Sequence, residues 1–158
     1  TRPQSIRYEL PYQFEWEGRG IRREAFLRHG EGKRGIIEVH PYSDQNQCMY
    51  AIGESRGHAI PFLFDTGCSQ TALSTTYIEY LTREGVHFTY TGTDMYETAC
   101  GLTELRELVI EELTVGGVTF RNHKIGETLG RDNLLGMDII SVFGSFRIST
   151  DEHLLILE

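Results

Sequence analysis

One aspartate stands apart among the ionisable side chains. Asp65 closes the apolar run Pro61-Phe62-Leu63-Phe64 and is followed at once by Thr66 and Gly67. A strand buried on both faces would end at this carboxylate. Thr-Gly would then turn the chain sharply, the hydroxyl bonding backbone and the glycine leaving room for another chain to come close. A carboxylate presented in this way can take a proton from water or give one to a reacting oxygen. It can equally be a turn residue, and the tripeptide alone does not separate the two readings. Asp138 follows Gly136-Met137 but leads into Ile-Ile rather than Thr-Gly, which reads as a helix-start residue placed by capping and dipole preference. The histidines form neither H-x-x-x-H nor H-E-x-x-H, so no metal site is expected. "GEGKRG" lacks the spacing of a phosphate loop and reads as a turn.

The elements around Asp65 follow from pattern. "CMYAIGESRGHAIPFLFD" holds two apolar runs about Gly-Glu-Ser-Arg-Gly, a hairpin whose second strand leads straight into Asp65. "STTYIEYLTREG" starts on Ser/Thr, places Tyr77, Ile78 and Leu81 at helical spacing and ends at Gly85, which predicts a short helix. From Val86 to Glu127 strand-like runs break at Ala-Cys-Gly-Leu and at Gly116-Gly117, giving two hairpins, the first long. "NLLGMDIISVF" is an apolar segment with one glycine at a close turn, then a helical turn from Met137 to Val142. "GSFRISTDEHLLILE" predicts a last hairpin turning at Thr150 to Glu152, "GIIEVHPY" a strand, and "IRYELPYQFEW" a looser one. The glycine- and arginine-rich stretch after it reads as a loop or a surface hairpin. The sum is about ten strands and two short helices, a turn-rich, mainly β chain that points to a closed or nearly closed barrel.

A chain of 158 residues suits one domain that buries its own core without staples. The net charge of −8 repels phosphate backbones and anionic membranes, so nucleic acid is not an expected partner. No apolar run approaches the roughly 18 residues of a membrane span, so direct insertion of this segment is not expected either. Basic residues do gather in "GRGIRREAFLRHGEGKRG", as a solvated face or as a docking patch for an acidic partner. Cys48, Cys68 and Cys100 are odd in number and lack C-x-x-C spacing, which argues against a disulfide framework and a zinc site. The chain begins at Thr1 rather than Met, so it is expected to be a piece of a longer precursor, exported or membrane-anchored, and the compartment is not legible in these residues.

Three stretches taken together resemble the retropepsins, the single-domain, retroviral-type aspartic proteases, in a form nearer their cellular and bacterial members than their viral ones. They are "FLFDTGCSQTALS" as the catalytic loop, "YETACGLTELRELVIEELTVGG" as the flap hairpin with its following strand, and "NLLGMDII" as the hydrophobic-hydrophobic-glycine segment. The resemblance covers about residues 46 to 158, with Cys68 standing where the family usually carries alanine or serine and a flap tip less rich in glycine than in viral enzymes. It implies a retropepsin-like closed barrel, the acid protease fold, with one or two short helices and a flap. Residues 36–158 would form the protease domain and residues 1–35 an N-terminal extension that covers the cleft, completes a dimer sheet or is a self-cleaved linker.

The resemblance implies chemistry too. Hydrolysis in this class needs two carboxylates sharing a proton, and the chain has one Asp-Thr-Gly. The second carboxylate would come from a second copy, making a homodimer with Asp65 facing its symmetry mate. Thr66 would bond across the axis, Gly67 would lend backbone to the cradle, and Leu134, Leu135 and Gly136 would pack beneath. An extended peptide would lie under a flap from about Met95 to Glu104, with Tyr96, Thr98, Ala99, Cys100 and Gly101 against it and the tip at Ala99 to Leu102. No cofactor is implied. Cys68 and Cys100 are either a redox switch or small apolar fillers. Two other functions stay open: a dimeric peptide-binding or scaffold module of the same fold without general turnover, and a protease that cleaves only itself or one dedicated partner.

Overall fold

The computed structural model describes residues 4–9, 24–29, 35–43, 46–98, 101–149 and 154–157. In chain order its elements are β1 (Gln4–Glu9), β2 (Glu24–His29), β3 (Gly35–Ser43), β4 (Asn46–Ser55), β5 (His58–Phe64), β6 (Ala72–Ser74), α1 (Thr75–Arg83), β7 (Phe88–Thr98), β8 (Gly101–Val115), β9 (Val118–Thr128), β10 (Asn133–Leu135), α2 (Met137–Ile140), β11 (Phe146–Ser149) and β12 (Leu154–Leu157). The β4–β5 hairpin turns on Arg56 and Gly57, both at positive φ (49° and 82°), the backbone that suits the twist of a two-residue hairpin. β5 then pairs in parallel with β10, β10 antiparallel with β6, β6 in parallel with β9, and β9 antiparallel with β8. A single register pair, Glu54↔Thr114, joins β8 back to β4 and closes a six-stranded barrel. The seam is tight, because a Cβ on Gly53 would sit 3.0 Å from the Phe62 ring and 3.1 Å from the Thr114 carbonyl.

Fully buried Ile52, Ile60, Phe62, Leu73, Leu108, Ile110, Leu113 and Ile125 fill the barrel, and in β4 and β5 successive residues are buried on both faces. α1 covers one end. Its N-cap Ser74 accepts the Tyr77 N–H at 3.2 Å, its buried face is Tyr77, Ile78 and Leu81, and Gly85 at φ 93° ends it. The Tyr77 hydroxyl donates to the Ala59 carbonyl at 3.0 Å, so burying the ring leaves no polar atom stranded.

A second antiparallel sheet runs β1-β2-β3-β12-β11, with Ile36 and Ile37 of β3 paired to Arg28 and Leu27 on one side and to Ile156 and Leu155 on the other. β3 continues into the barrel through Val39↔Ala51 and Tyr50↔His40, past an irregularity between Pro41 and Ser43. β1 and β2 belong to the stretch read as an N-terminal extension, and the expected turn at Thr150 to Glu152 lies outside the described residues. Relative to the ten strands expected, β2 and β6 are additional, and α2 ends at Ile140 rather than Val142. Among the described residues no helix is long and apolar enough to cross a membrane.

Asn133 ties the parallel crossing together. It is fully buried, its Oδ1 accepts the Ser74 N–H at 2.8 Å, and its Nδ2 donates to the Pro61 carbonyl at 3.1 Å. Asn133→Ala strands both backbone groups and is expected to cost about 2–4 kcal/mol in urea unfolding; a loss below about 1 kcal/mol would show that water takes over the two bonds.

Candidate active site

Asp65 leaves the end of β5 into a turn closed by the Cys68 N–H on the Asp65 carbonyl, 3.2 Å. Its own N–H donates to the Leu135 carbonyl at 3.2 Å, which anchors the residue to β10. One carboxylate oxygen, Oδ1, accepts the Gly67 N–H at 2.9 Å. That bond fixes the side chain at the rim of the loop, partly exposed, with Thr66 and Gly67 open to solvent beside it.

The loop from Asp65 to Thr71 is held almost wholly by residues 135–138. Met137 N–H donates to the Cys68 carbonyl at 2.8 Å and Asp138 N–H to the Ser69 carbonyl at 3.2 Å. Between them Gly136 lies so close that a Cβ would stand 2.7 Å from the Gln70 carbonyl carbon and 2.9 Å from both the Cys68 oxygen and the Thr71 nitrogen. Only glycine permits that approach. Side chains complete the joint: Gly136 N–H donates to Thr71 Oγ1 at 3.0 Å, and Asp138 Oδ1 accepts both the Thr71 N–H (2.9 Å) and the Thr71 hydroxyl (2.7 Å). Asp138 Oδ2 meets His123 Nε2 at 2.8 Å. Burial works against the charged form of Asp138, but the bonds from His123 and Thr71 outweigh it and hold the carboxyl below its usual range.

Asp138 therefore starts a helix, as its sequence position suggests, yet it does not cap it. Its carboxylate is spent on the loop 67 residues away. Cys68 is half-buried and its Sγ donates to the Gln70 carbonyl at 2.9 Å. Burial pushes its thiol up, and the charges of Asp65 and Asp138 add to the effect, so the group stays a thiol rather than a reactive thiolate.

Above the loop lies a cleft of about 310 Å³ lined by Asp65, Gly67, Cys68, Leu134 and Thr128 from the barrel, and by Glu97 and Leu105 from the β7–β8 hairpin. The hairpin is the expected flap. Its strands pair from Phe88↔Ile110 out to Thr98↔Gly101, farther than expected, with Tyr96 opposite Thr103 and an irregularity between Tyr90 and Gly92. Gly101 opens β8 at φ 102°, whereas Ala99 and Cys100 lie outside the described residues. At the flap's root Arg106 bonds buried Glu127 of β9 and stands 4.9 Å over the Tyr90 ring. Leu135 and Gly136 lie beneath the loop, and Leu134 also reaches the cleft. No group of metal-ligating side chains occurs among the described residues.

Residues 53–142, more than half of the chain, match the family described as "gag-polyprotein putative aspartyl protease". The chain belongs to that family. Solved structures agree on the fold of these retropepsin-like aspartic proteases. A retropepsin-like aspartic protease from Rickettsia conorii superposes with a TM-score of 0.54 at 24% identity, over 78% of this chain and 88% of that one. The EIAV protease complexed with the inhibitor HBY-793 superposes with a TM-score of 0.55 at 15% identity, over 68% of this chain and 98% of that one. A comparison with curated proteins gave no match.

The structure of this retropepsin-like chain thus brings Asp65, Thr66, Gly67, Leu134, Leu135 and Gly136 to one point. Three contributors escaped the sequence: Thr71, His123 and the carboxylate role of Asp138. Gly136 offers the sharpest check of the joint. Gly136→Ala is expected to lose about 1–3 kcal/mol of stability, since its clashes are with backbone and no rotamer relieves them. Gly126→Ala, 3.8 Å from the Ala72 Cβ, should lose almost none in the same thermal melts.

Proposed function

We propose that the protein is one half of an aspartic endopeptidase, completed when two copies meet so that Asp65 faces its symmetry mate. The observation that carries this reading is a single Asp-Thr-Gly carboxylate on the floor of an open cleft, in a chain of aspartic protease family and fold. Two carboxylates a few ångströms apart cannot both ionise, so the pair keeps one proton between them. The ionised member takes a proton from water as its oxygen attacks the peptide carbonyl carbon, and the protonated member gives its proton to the carbonyl oxygen. Collapse of the resulting diol returns a proton to the leaving nitrogen, and the pair is restored.

The other residues take supporting roles in this reading. Thr66 and Gly67, exposed in the single chain, form the meeting surface of the two loops. Leu134, Leu135 and Gly136 hold the floor. The substrate is an extended peptide that lies as an added strand beneath the flap, against Tyr96, Thr98, Ala99, Cys100 and Gly101, and flap closure excludes water. A cleft of about 310 Å³ is small for such a peptide, which fits one half of a two-fold site. The reaction uses no metal or cofactor in this scheme.

A shared site has a distinctive signature. Asp65→Asn should abolish cleavage of a mixed peptide library between about pH 4 and 7. Mixing it with an equal amount of wild type and letting subunits exchange should lower turnover to about half that of the same wild type alone. Library cleavage by Asp65→Asn equal to wild type would sink the assignment. No cleavage at all, by a wild type that sediments as a dimer, would favour a peptide-binding scaffold or a protease with one dedicated substrate. The protein trimmed to residues 36–158 should differ from the full chain in turnover or in dimer affinity; identical behaviour would remove any regulatory role for the N-terminal segment.

A further inference from the structure

We propose that His123 is a positioning residue for the Asp65 loop, acting through Asp138, and that what the site needs from it is a hydrogen-bond donor at Nε2. The inference rests on Asp65 being the catalytic group. It begins from the direction of the bonds. Gly136 N–H occupies an acceptor site on Thr71 Oγ1, so the Thr71 hydroxyl hydrogen goes to Asp138 Oδ1, which also takes the Thr71 N–H. Every bond in the chain points toward Asp138. An ionised carboxylate only accepts, so the nitrogen 2.8 Å from Oδ2 must carry a hydrogen. His123 comes from β9, where it pairs with Ile110 of the flap strand β8, so the same contact links the loop to the root of the flap.

The arrangement separates two neighbouring carboxyls. A catalytic pair of aspartates works in a pH range where it retains one proton, whereas the loop is held only while Asp138 stays charged. The His123 and Thr71 bonds keep Asp138 charged as the solution becomes acidic. Its contribution is therefore complete above the ordinary carboxylate range and is lost only as pH falls through the depressed value. The titratable neighbours on the loop side are Asp65 and the Cys68 thiol, which burial keeps protonated. On β8 the residue opposite His123 is apolar Ile110, and Glu112 is engaged by Arg121 at 3.8 Å. The Phe120 ring also lies against His123, edge-on at 5.5 Å between centroids.

The test inverts the sign of this dependence. Asp138→Asn keeps an acceptor for Thr71 but turns a donor amide toward Nε2, which a neutral imidazole can accept and a protonated one cannot. Adding His123→Gln to that variant supplies a carbonyl for the amide and removes the imidazole. Turnover of a peptide substrate and amide hydrogen exchange at residues 65–71 would be followed from pH 7.5 to 5, across the range in which imidazoles take up a proton. Relative to wild type, Asp138→Asn should lose about tenfold in kcat across that range at unchanged KM, with a parallel loss of exchange protection, and the double variant should follow wild type. In the wild-type background His123→Gln should retain kcat and His123→Leu should lose about tenfold. A wild-type pH profile for Asp138→Asn, a double variant as pH-sensitive as the single one, or equal kcat for His123→Gln and His123→Leu would overturn the proposal. Should wild type cleave nothing, the reading as a general endopeptidase fails by itself, and the exchange measurements decide the role of His123.

Discussion

The backbone of Gly136 presses against the backbone of residues 68–71 at a distance that no side chain survives. Most of the architecture follows from that contact. β10 must thread between β5 and β6 to deliver it, which makes the barrel's centre a pair of short parallel and antiparallel crossings rather than a simple meander. Strands that short cannot satisfy their own ends. Asn133 meets the need at one end, and Met137, Asp138 and Thr71 meet it at the other. Among the described residues the buried polar side-chain atoms are nearly all paired, which is the condition under which a buried network fixes one geometry instead of weakening the core.

Within that frame the electrostatics are divided by local geometry. Asp138 draws three donors from two other elements and stays charged, and Cys68, in the same loop, stays neutral because burial and nearby carboxylates disfavour its thiolate. Asp65 receives the Gly67 N–H and otherwise faces the cleft. The two carboxyls thus differ in how many hydrogen-bond donors the fold directs at each.

Local rules made a large part of this legible in the sequence. Arg56-Gly57, Gly116-Gly117 and the Ser74 to Gly85 helix are read correctly because turn and cap chemistry is written in adjacent residues. "FLFDTG" and "NLLG" were legible for the same reason. β6 is not, because three residues are too few to show a period, and the sequence of β2 fits loop and hairpin alike because its charges interrupt its apolar positions. Closure of the barrel through Glu54↔Thr114 has no local mark at all. His123 looked like any scattered histidine, since its partner lies 15 residues on and in a different element. Asp138 was legible as a helix-start residue but not as the clamp of a distant loop, for its position fixes the first role and only tertiary packing fixes the second.

The distance in sequence between the Asp65 loop and its support also sets a clock. Thr71 and Asp138 are 67 residues apart, so a growing chain exposes the Asp-Thr-Gly turn well before the segment that gives it shape exists. At about 5–20 residues per second the interval is on the order of several seconds, and folding of the β5–β10–β6 crossing must follow it. Any activity that depends on this loop must wait until residues 136–138 have been made and have packed against residues 68–71.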